Sequence, residues 1–410
     1  MTAVADQAVP ASDLLDDLAP VVEEIRAGAR QRDLTRSYAV REVERLRAVG
    51  FWALTTPAAY GGLGLGAETL VRAIMAIAAA DGSLGQIPQN HFMTVERVRL
   101  GADGEQRDHW LTALGRGAVF GNATAEPGEL APGERTTTVE PIAGGWRVQG
   151  RKVYSTGSLL ADYIAVAATS PEDESWTVLV PAKHPGVTIH DDWQGLGQRT
   201  TGSGTSEFRG VVVDDLAVLR GDVPTTVTYR VSALGQLVHA AIDAGIAEGA
   251  LREALTLAGR VHGGRGTGAK AFADDALGVA LVGELHIETL SARRLVESAA
   301  RRLEALDDAS ALDEVVDVFY EVAAAKTQST RAALDVTARL FDVGGASSTR
   351  PELGLDRYWR DARTHTLHDA VRQKPHSIGR WLLAGDVADP WSIGHPMRPI
   401  TDLRTTHEHD

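Results

Sequence analysis

Apolar residues recur every three or four positions up to about residue 115, and this spacing predicts a helical segment. Ser12 can cap a first helix, whose leucine, valine and isoleucine side chains occupy one face as far as Ile25. A second helix is expected over 38–49 and ends at Gly50. The first domain of the chain is therefore predicted to be all-α, over residues 1–117.

From Ala118 the apolar residues alternate with polar ones, which is the spacing of a strand with one buried face. Short strands separated by turns are expected around 119–128, 136–141, 146–149, 152–155, 163–168, 176–180, 187–190 and 206–213. Short, regularly spaced strands are typical of a small barrel or sandwich. We predict a central β-barrel domain over residues 118–224.

After Pro224 the pattern is helical again, in long segments that carry apolar residues on more than one face. Such helices must be buried against several neighbours. The pattern predicts a C-terminal four-helix bundle over residues 225–385, which also forms a subunit interface. A tail over residues 386–410 is expected to be ordered by docking. The fold class expected for the whole chain is α+β.

Composition restricts the function to a few classes. The 410-residue chain has a formal net charge of −14, and an acidic surface disfavours nucleic acids and anionic membranes as partners. It contains no cysteine, which excludes disulfides, thiolate catalysis and cysteine-based metal sites. Residues 1–13 lack the features of a signal peptide, and the apolar runs are too short to span a membrane. We expect a cytoplasmic protein.

Residues 62–67 satisfy the glycine fingerprint of dinucleotide-binding proteins and precede a helix. The fingerprint requires a preceding strand and a βαβ unit, whereas Pro57 interrupts the chain upstream and more helix follows. We interpret the segment as a glycine-rich turn between helices.

A polar cluster lies near the C-terminus, in residues 363–369 (RTHTLHD). His365 and His368 fall on one face of a helical turn, and histidine is the side chain most easily tuned to transfer protons near neutral pH. A solvated surface turn is the simpler alternative. A His-x-x-His pair without a third ligand is weak evidence for a metal, so we predict no metal site.

Two further segments carry candidate chemistry. His91 shares an apolar helical face with Ile87 and Val95, which is typical of a core histidine, but polar amide side chains flank it. The loop 195–205 is dense in glycine and small hydroxyl residues, and such loops let backbone amides approach a phosphate or a flat ring. A plain hairpin loop is the alternative.

The order of helical, β and helical domains resembles the acyl-CoA dehydrogenase fold over nearly the whole chain. Segments similar to those of that family are 57–62 (PAAYGG), 126–128 (EPG), 150–152 (GRK) and 343–345 (VGG). The resemblance implies a flavin between the β domain and the bundle, and a homotetramer.

One departure from the dehydrogenases of this family concerns the catalytic base. They need a carboxylate, often a glutamate in the segment where this chain has Thr366-Leu367-His368. Asp243 and Glu248 do not stand in a context that resembles the family's alternative base. Dehydrogenation of a thioester is therefore disfavoured.

The chain is more similar to the flavin-dependent monooxygenase branch of the superfamily, which includes dibenzothiophene monooxygenase and the SfnB-type sulfur acquisition oxidoreductases. The similar segments are 81–85 (DGSLG), 85–92 (GQIPQNHF), 121–123 (GNA), 152–157 (KVYSTG), 191–193 (DDW), 197–201 (GQRTT), 236–237 (QL), 245–247 (GIA) and 363–369.

This resemblance implies a reaction of reduced FMN, with FAD as the alternative, and O2 through a C4a-hydroperoxide whose terminal oxygen passes to a soft nucleophile such as sulfur. The residues implied at the reactive edge of the flavin are His91, Asn122, Thr156, His365 and His368. His91 or His368 is the implied acid/base, with His365 in support, and Asn122 and Thr156 supply neutral hydrogen bonds.

Further contacts with the cofactor are implied by the same resemblance. They fall on Ala123, Tyr154, Ser155, Arg199, Thr200, Ser203, Arg265, Gly344, Gly345 and Asp369, and also on Asn122, Thr156 and His368. Arg260 is an alternative to Arg265 at the flavin phosphate.

The leading hypothesis is a two-component monooxygenase that oxygenates a small organosulfur compound. Because no reductase motif is visible in the sequence, reduced flavin is expected from a separate NAD(P)H-dependent flavin reductase. Three alternatives remain: an N- or C-hydroxylating monooxygenase of the same fold, an acyl-CoA dehydrogenase, and a non-catalytic flavin-binding protein.

Overall fold

A computed structural model describes residues 11–128, 135–260, 268–391 and 397–404. Its N-terminal part is helical, as the apolar spacing predicts. The helices are α1 (Ala11–Thr35), α2 (Val40–Ala48), α3 (Ala67–Ala80), α4 (Gly82–Gln86), α5 (Pro88–Gly101) and α6 (Gly104–Gly115). None of the described helices is both long and apolar enough to cross a membrane.

The glycine-rich segment 62–67 is a turn between helices. A short 3-10 helix at Ala58–Tyr60 precedes it and α3 follows it, so the described chain has no strand where a dinucleotide fingerprint requires one. Gly62 packs so closely on Thr56 that an added Cβ would lie 2.1 Å from the Thr56 carbonyl oxygen. The glycines here serve close packing of the backbone.

The middle of the chain forms one sheet. Its strands are β1 (Phe120–Ala123), β2 (Thr138–Ile142), β3 (Gly145–Lys152), β4 (Tyr163–Thr169), β5 (Ser175–Pro181), β6 (Val187–Ile189), β7 (Ser206–Val213) and β8 (Val218–Leu219). The strand order is β6-β7-β3-β2-β4-β5-β8, and β1 pairs with β4 in parallel. Within the described residues β6 and β8 remain edges, so the sheet is open where a barrel was expected.

One of the strands expected from the sequence is longer in the structure, and another is absent. The predicted segment 146–149 lies within β3, which continues to Lys152, whereas residues 153–155 of the predicted strand 152–155 are not in a strand. The register of β3 against β7 shifts between Val148 and Gly150, and Gly150 adopts a φ of +157°. This bulge breaks the alternation of apolar and polar residues without ending the strand.

The C-terminal part is a bundle of long helices. They are α7 (Thr225–Ala258), α8 (Ala276–Glu304) and α9 (Leu312–Gly344), followed by the shorter α10 (Asp356–His365) and α11 (Lys374–Ala384). Helix α10 packs against α7 and α9. The α+β class, with helical, sheet and helical parts in this order, is confirmed.

The segment after α11 docks on the bundle. Strand β9 (Asp386–Ala388) pairs with β10 (Met397–Pro399), and a short helix α12 (Ile400–Arg404) follows. The hydroxyl of Tyr229 on α7 donates to the Ala388 carbonyl oxygen at 2.7 Å.

The apolar side chains form two cores. One core contains residues of α1–α5 together with residues of α7–α9, while the second lies between the sheet, α6 and the C-terminal half of α5. Helix α7 reaches α3 because its small residues allow close contact: a Cβ added to Gly245 would lie 2.5 Å from the Met75 carbonyl oxygen. The two helical parts therefore share one core, and the sheet has its own.

Candidate active site

Three imidazoles and one carboxylate meet between α7 and the end of α10. His365 is the last residue of α10, and His368 follows in the next turn. His239 and Asp243 lie one helical turn apart on α7 and are both buried. We call His239, His365 and His368 the histidine cluster. The sequence spacing predicts that two of these imidazoles lie together, and it does not reveal the third, His239.

Hydrogen bonds connect the histidine cluster in a chain. Nδ1 of His365 lies 2.5 Å from Oδ1 of Asp243, and Nε2 of His365 lies 3.0 Å from Nδ1 of His239. Nδ1 of His368 lies 2.8 Å from the carbonyl oxygen of His365. The rings of His239 and His368 stack with centroids 3.6 Å apart and planes inclined by 18°.

These partners fix the position of each imidazole proton. A carboxylate and a carbonyl only accept, so His365 and His368 each carry their proton on Nδ1. Nε2 of His365 then accepts from the Nδ1–H of His239. As a result, Nε2 of His368 is an unprotonated nitrogen, and the side chain of His368 keeps 21% of its surface exposed.

Asp243 is held ionised by its surroundings. Its carboxylate is fully buried and accepts from Lys326 Nζ at 2.7 Å and from Thr330 Oγ1 at 2.7 Å, besides His365. Burial alone raises the pKa of Asp243, but Lys326 and His365 outweigh it and lower the pKa below its usual range. Burial lowers the pKa of His239 and of His365, so the interior of the cluster is neutral at pH 7.

The two carboxylates of α7 that could serve as a dehydrogenase base are both paired. The carboxylate of Asp243 accepts hydrogen bonds from three donors. Glu248 lies 3.5 Å from Arg293, and burial raises its pKa. The geometry supports the expectation that dehydrogenation of a thioester is disfavoured.

A second group of polar side chains lies where β1, the turn 154–157 and the loop 195–205 converge. The hydroxyls of Thr156 and Ser203 lie 2.7 Å apart, and those of Ser203 and Thr201 also lie 2.7 Å apart. We call these three residues the hydroxyl cluster. The backbone N–H of Asn122 on β1 donates to the Thr156 carbonyl oxygen at 3.0 Å. The structure thus brings Asn122, Thr156 and Ser203 together, and their contact with a cofactor stays a prediction.

Other implied cofactor residues border this cluster. Tyr154 adopts a φ of +54° and keeps 59% of its surface exposed, while Ser155 is buried with an Oγ that has no hydrogen-bond partner among the described residues. Ala123 is buried at the end of β1, and Thr200 is buried in the loop 195–205. Nε of Arg199, in the same loop, is also buried without a hydrogen bond to a described residue.

The loop 195–205 is pinned to α10, which carries His365. The backbone N–H of Gly197 donates to Thr364 Oγ1 at 2.9 Å, and that of Gln198 donates to Asp361 Oδ1 at 2.6 Å. A Cβ added to Gly197 would lie 1.9 Å from the Arg360 carbonyl oxygen. The hydroxyl cluster and the histidine cluster are therefore held by elements in direct contact.

Asp361 is expected to make stability depend on pH. Burial raises the pKa of Asp361 to about 7. The carboxylates of Asp81 and Asp33 also raise this pKa, whereas the N–H of Gln198 and the guanidinium of Arg360 lower it. In the unfolded chain its pKa is about 3.9. The folded state therefore binds this proton more tightly, and the associated stability, full below pH ~4, is lost as pH rises towards 7.

The variant Asp361→Asn keeps an oxygen acceptor and cannot ionise. Its free energy of unfolding relative to the unaltered chain should increase by about 2–3 kcal/mol between pH 5 and pH 8. Urea unfolding at the two pH values measures this difference. A difference that is the same at both pH values would contradict the raised pKa.

His91 is a core residue in this structure. It is fully buried, its Nε2 lies 2.7 Å from the Trp52 carbonyl oxygen, and its Nδ1 accepts from the backbone N–H of Phe120 at 3.2 Å. Burial lowers its pKa to about 4. Both ring nitrogens are occupied, so the structure favours the core interpretation of His91 over the expected role as acid/base.

Replacing His91 with alanine should therefore reduce stability. The variant leaves a cavity among Trp52, Phe92 and Phe120 and two buried backbone groups without partners, for which about 2–4 kcal/mol is expected. Urea unfolding tests this, with alanine at the exposed His109 as the control. An unchanged unfolding midpoint for His91→Ala would contradict the core role.

The remaining implied residues are distributed as follows. Arg265 lies outside the described residues, and Arg260 lies just beyond the end of α7. Gly344 ends α9, and Gly345 follows it with a φ of +59°. Asp369, next to His368, accepts from Lys374 Nζ at 2.7 Å.

Comparisons with known proteins agree with this architecture. Residues 15–118, 123–211 and 237–373 match the N-terminal, middle and C-terminal domains of acyl-CoA dehydrogenase. A dibenzothiophene monooxygenase of Mycolicibacterium goodii is 33% identical over 371 residues, which cover 86% of this chain and 89% of that protein. A probable FMNH2-dependent monooxygenase, SfnC, of Pseudomonas putida is 31% identical and covers 83% and 87%.

Solved structures of monooxygenases are similar to this chain over most of its length. FMN-bound TdsC from Paenibacillus sp. A11-2 superposes with a TM-score of 0.87 at 30% identity, covering 92% of this chain and 99% of TdsC. The methanesulfinate monooxygenase MsuC from Pseudomonas fluorescens has a TM-score of 0.85 at 28% identity, with coverage of 92% and 98%. The chain therefore belongs to the acyl-CoA dehydrogenase family, and within it to the flavin-dependent monooxygenases, which makes it an oxidoreductase.

Proposed function

We propose that the chain is the oxygenase of a two-component system, which takes FMN reduced by a separate NAD(P)H-dependent reductase and oxygenates a small organosulfur compound through a C4a-hydroperoxyflavin. The observation that carries the proposal is the partly exposed imidazole of His368, whose Nε2 is left unprotonated and which follows the helix α10 that holds the loop of the hydroxyl cluster. The names of the relatives, which include dibenzothiophene, methanesulfinate and FMNH2-dependent monooxygenases, support the cofactor and the substrate class.

The residues of the site fit a flavin. Buried polar atoms without partners are unfavourable by about 1–3 kcal/mol each. Ser155 Oγ is such an atom, and Arg199 Nε makes no hydrogen bond to a described residue, although it lies 4.0 Å from Asp33 Oδ1. A bound flavin would offer them ring and phosphate acceptors. The hydroxyl cluster, Asn122 and the exposed ring of Tyr154 would hold the flavin ring, with Arg199, Arg265 or Arg260 at the phosphate.

His368 is proposed as the acid/base. Its Nδ1–H is committed to the His365 carbonyl oxygen, so Nε2 is the atom that accepts a proton and returns it. Stacking on His239 fixes the plane of the ring. His365, through its bond to Asp243, holds the backbone and the neighbouring imidazole in place.

We also propose a homotetramer. Large apolar side chains are exposed on α8 and α11, including Leu277 at 78%, Ile287 at 63%, Leu382 at 75% and Leu383 at 89%. Large apolar side chains exposed in this number on two helices indicate surface that is covered by another subunit. Light scattering of the purified chain tests the proposal, and a monomer at micromolar concentration would contradict it.

Rapid mixing tests the proposed function. The enzyme with anaerobically reduced FMN is mixed with oxygenated buffer, and the flavin absorbance is followed. An oxygenated flavin species longer-lived than in free solution, with dibenzothiophene or methanesulfinate converted to an oxygenated product, is the expected result. Direct reoxidation with no product would reject it, as would oxidation of NADH by the purified chain with free FMN. Repeating the experiment with FAD decides between the two flavins.

A further inference from the structure

The histidine cluster adds a third imidazole, His239, to the His-x-x-His pair formed by His365 and His368. The sequence offers His365 and His368 three residues apart, which alone is weak evidence for a metal. In the structure His239 joins them from α7, and one ring nitrogen from each of the three lies within 4.8 Å of the others. Three imidazoles around one point are the ligand set of several protein sites for divalent transition metals.

The surroundings of two imidazoles are those of metal ligands. A histidine that binds a metal usually donates its other N–H to a carboxylate or a carbonyl, which orients the ring. His365 donates from Nδ1 to Asp243, and His368 donates from Nδ1 to the carbonyl oxygen of His365. Both bonds leave Nε2 without a proton and therefore able to bind a metal.

The distance between Nδ1 of His239 and Nε2 of His365 also suits two ligands of one metal ion. Nδ1 of His239 lies 3.0 Å from Nε2 of His365, whereas adjacent ligands of a tetrahedral zinc ion are about 3.3 Å apart for zinc–nitrogen bonds of 2.0–2.1 Å. The same two nitrogens can share a proton or flank a metal ion. His368 must turn out of its stack with His239 to complete the set, and its partly exposed side chain leaves room for this.

We propose that His239 Nδ1, His365 Nε2 and His368 Nε2 bind one divalent transition metal ion, with water in the fourth position. Imidazole ligands favour Zn²⁺, Cu²⁺, Ni²⁺ and Co²⁺ over Mg²⁺ and Ca²⁺, which prefer oxygen. Of the nearby carboxylates, Asp243 is paired with Lys326, while Asp369 is paired with Lys374 and lies 3.6 Å from Nε2 of His368.

The ion would act as a reversible inhibitor. A metal on Nε2 of His368 occupies the atom that is proposed to accept a proton during oxygenation. This consequence rests on the proposed function, whereas the binding site itself does not. An experiment can therefore reject metal binding without rejecting the proposed function, and the reverse.

Binding is measured on the full-length chain after treatment with a chelator and its removal. Titration with Zn²⁺ in a calorimeter should give one site per chain. Titration with Co²⁺ should give the intense visible absorption of a four-coordinate ion, and Zn²⁺ should abolish this absorption. The variant His239→Phe keeps an aromatic ring against His368 and should weaken binding at least tenfold, whereas His109→Ala and His376→Ala, which alter exposed histidines, should not.

Absence of a stoichiometric site, an octahedral Co²⁺ spectrum, or equal binding by a folded His239→Phe variant would each overturn the proposal. If that variant does not fold, electron paramagnetic resonance of Cu²⁺ bound to the unaltered chain decides the question. Three coordinated imidazole nitrogens support the site, and fewer than three reject it.

Activity with reduced FMN provides the separate readout of inhibition. Loss of oxygenation on adding Zn²⁺, recovered with a chelator, supports both the site and the role of His368. Binding of the metal at the three histidines without inhibition would overturn the inhibitory role and leave the site standing. Oxygenation by a chain that binds no metal would reject the site and leave the proposed function standing.

Discussion

Replacing His368 with glutamine is expected to lower the rate of oxygenation by about 10²–10⁴-fold, the usual contribution of a positioned acid/base. Glutamine retains polar atoms near the position of Nε2 but cannot accept a proton and return it. His368 lies in the turn after α10 and its side chain is partly exposed, so the fold should be retained. The effect should appear in the conversion of substrate and in the lifetime of the oxygenated flavin.

The measurement is single-turnover oxygenation with reduced FMN supplied in excess. His376→Gln, a change at an exposed histidine of α11, is the matched control. Circular dichroism and the binding of FMN establish that each variant is folded. A folded His368→Gln variant with an unchanged rate would remove His368 from the mechanism.

Replacing Lys326 with methionine is expected to reduce the free energy of unfolding by about 3–5 kcal/mol. Lys326 and Asp243 are both fully buried, and their charged atoms lie 2.7 Å apart. Removing the ammonium group leaves the carboxylate buried with one hydroxyl and one imidazole as its donors. An uncompensated buried charge is among the largest destabilising changes that a single substitution produces.

A second substitution separates the charge from the packing. In the double variant Lys326→Met, Asp243→Asn the neutral amide still accepts from His365, so a large part of the stability should return. Urea unfolding midpoints of the single and double variants measure the coupling. If the double variant were as unstable as the sum of its two single variants, the loss would not arise from the unpaired charge.

The sequence predicts the features of this protein that are local. Helical and alternating spacing marks the three parts of the chain correctly, and the turn at 62–67 follows from Pro57 and the glycines alone. His365 and His368 stand out because they are polar, close in sequence and follow apolar helices. The loop 195–205 stands out through its composition.

What the sequence does not predict are partners that are distant along the chain. His239 is separated from His365 by 126 positions. Only its spacing from Asp243, one turn apart in the otherwise apolar stretch 237–247 of α7, indicates a polar face there. His91 shows the opposite error. Its flanking amides suggest chemistry, but the backbone groups of Trp52 and Phe120 that satisfy its ring are fixed only by the tertiary fold.

The core shared by the two helical parts has a consequence for folding during synthesis on the ribosome. Helix α3 is buried against α7, and the sheet is synthesised between them. Until α7 has emerged, the N-terminal helices expose an uncovered apolar face to solvent or to other nascent chains. A fragment that stops at residue 117 is expected to aggregate, and the growing chain to depend on chaperones until the bundle helices arrive to cover it.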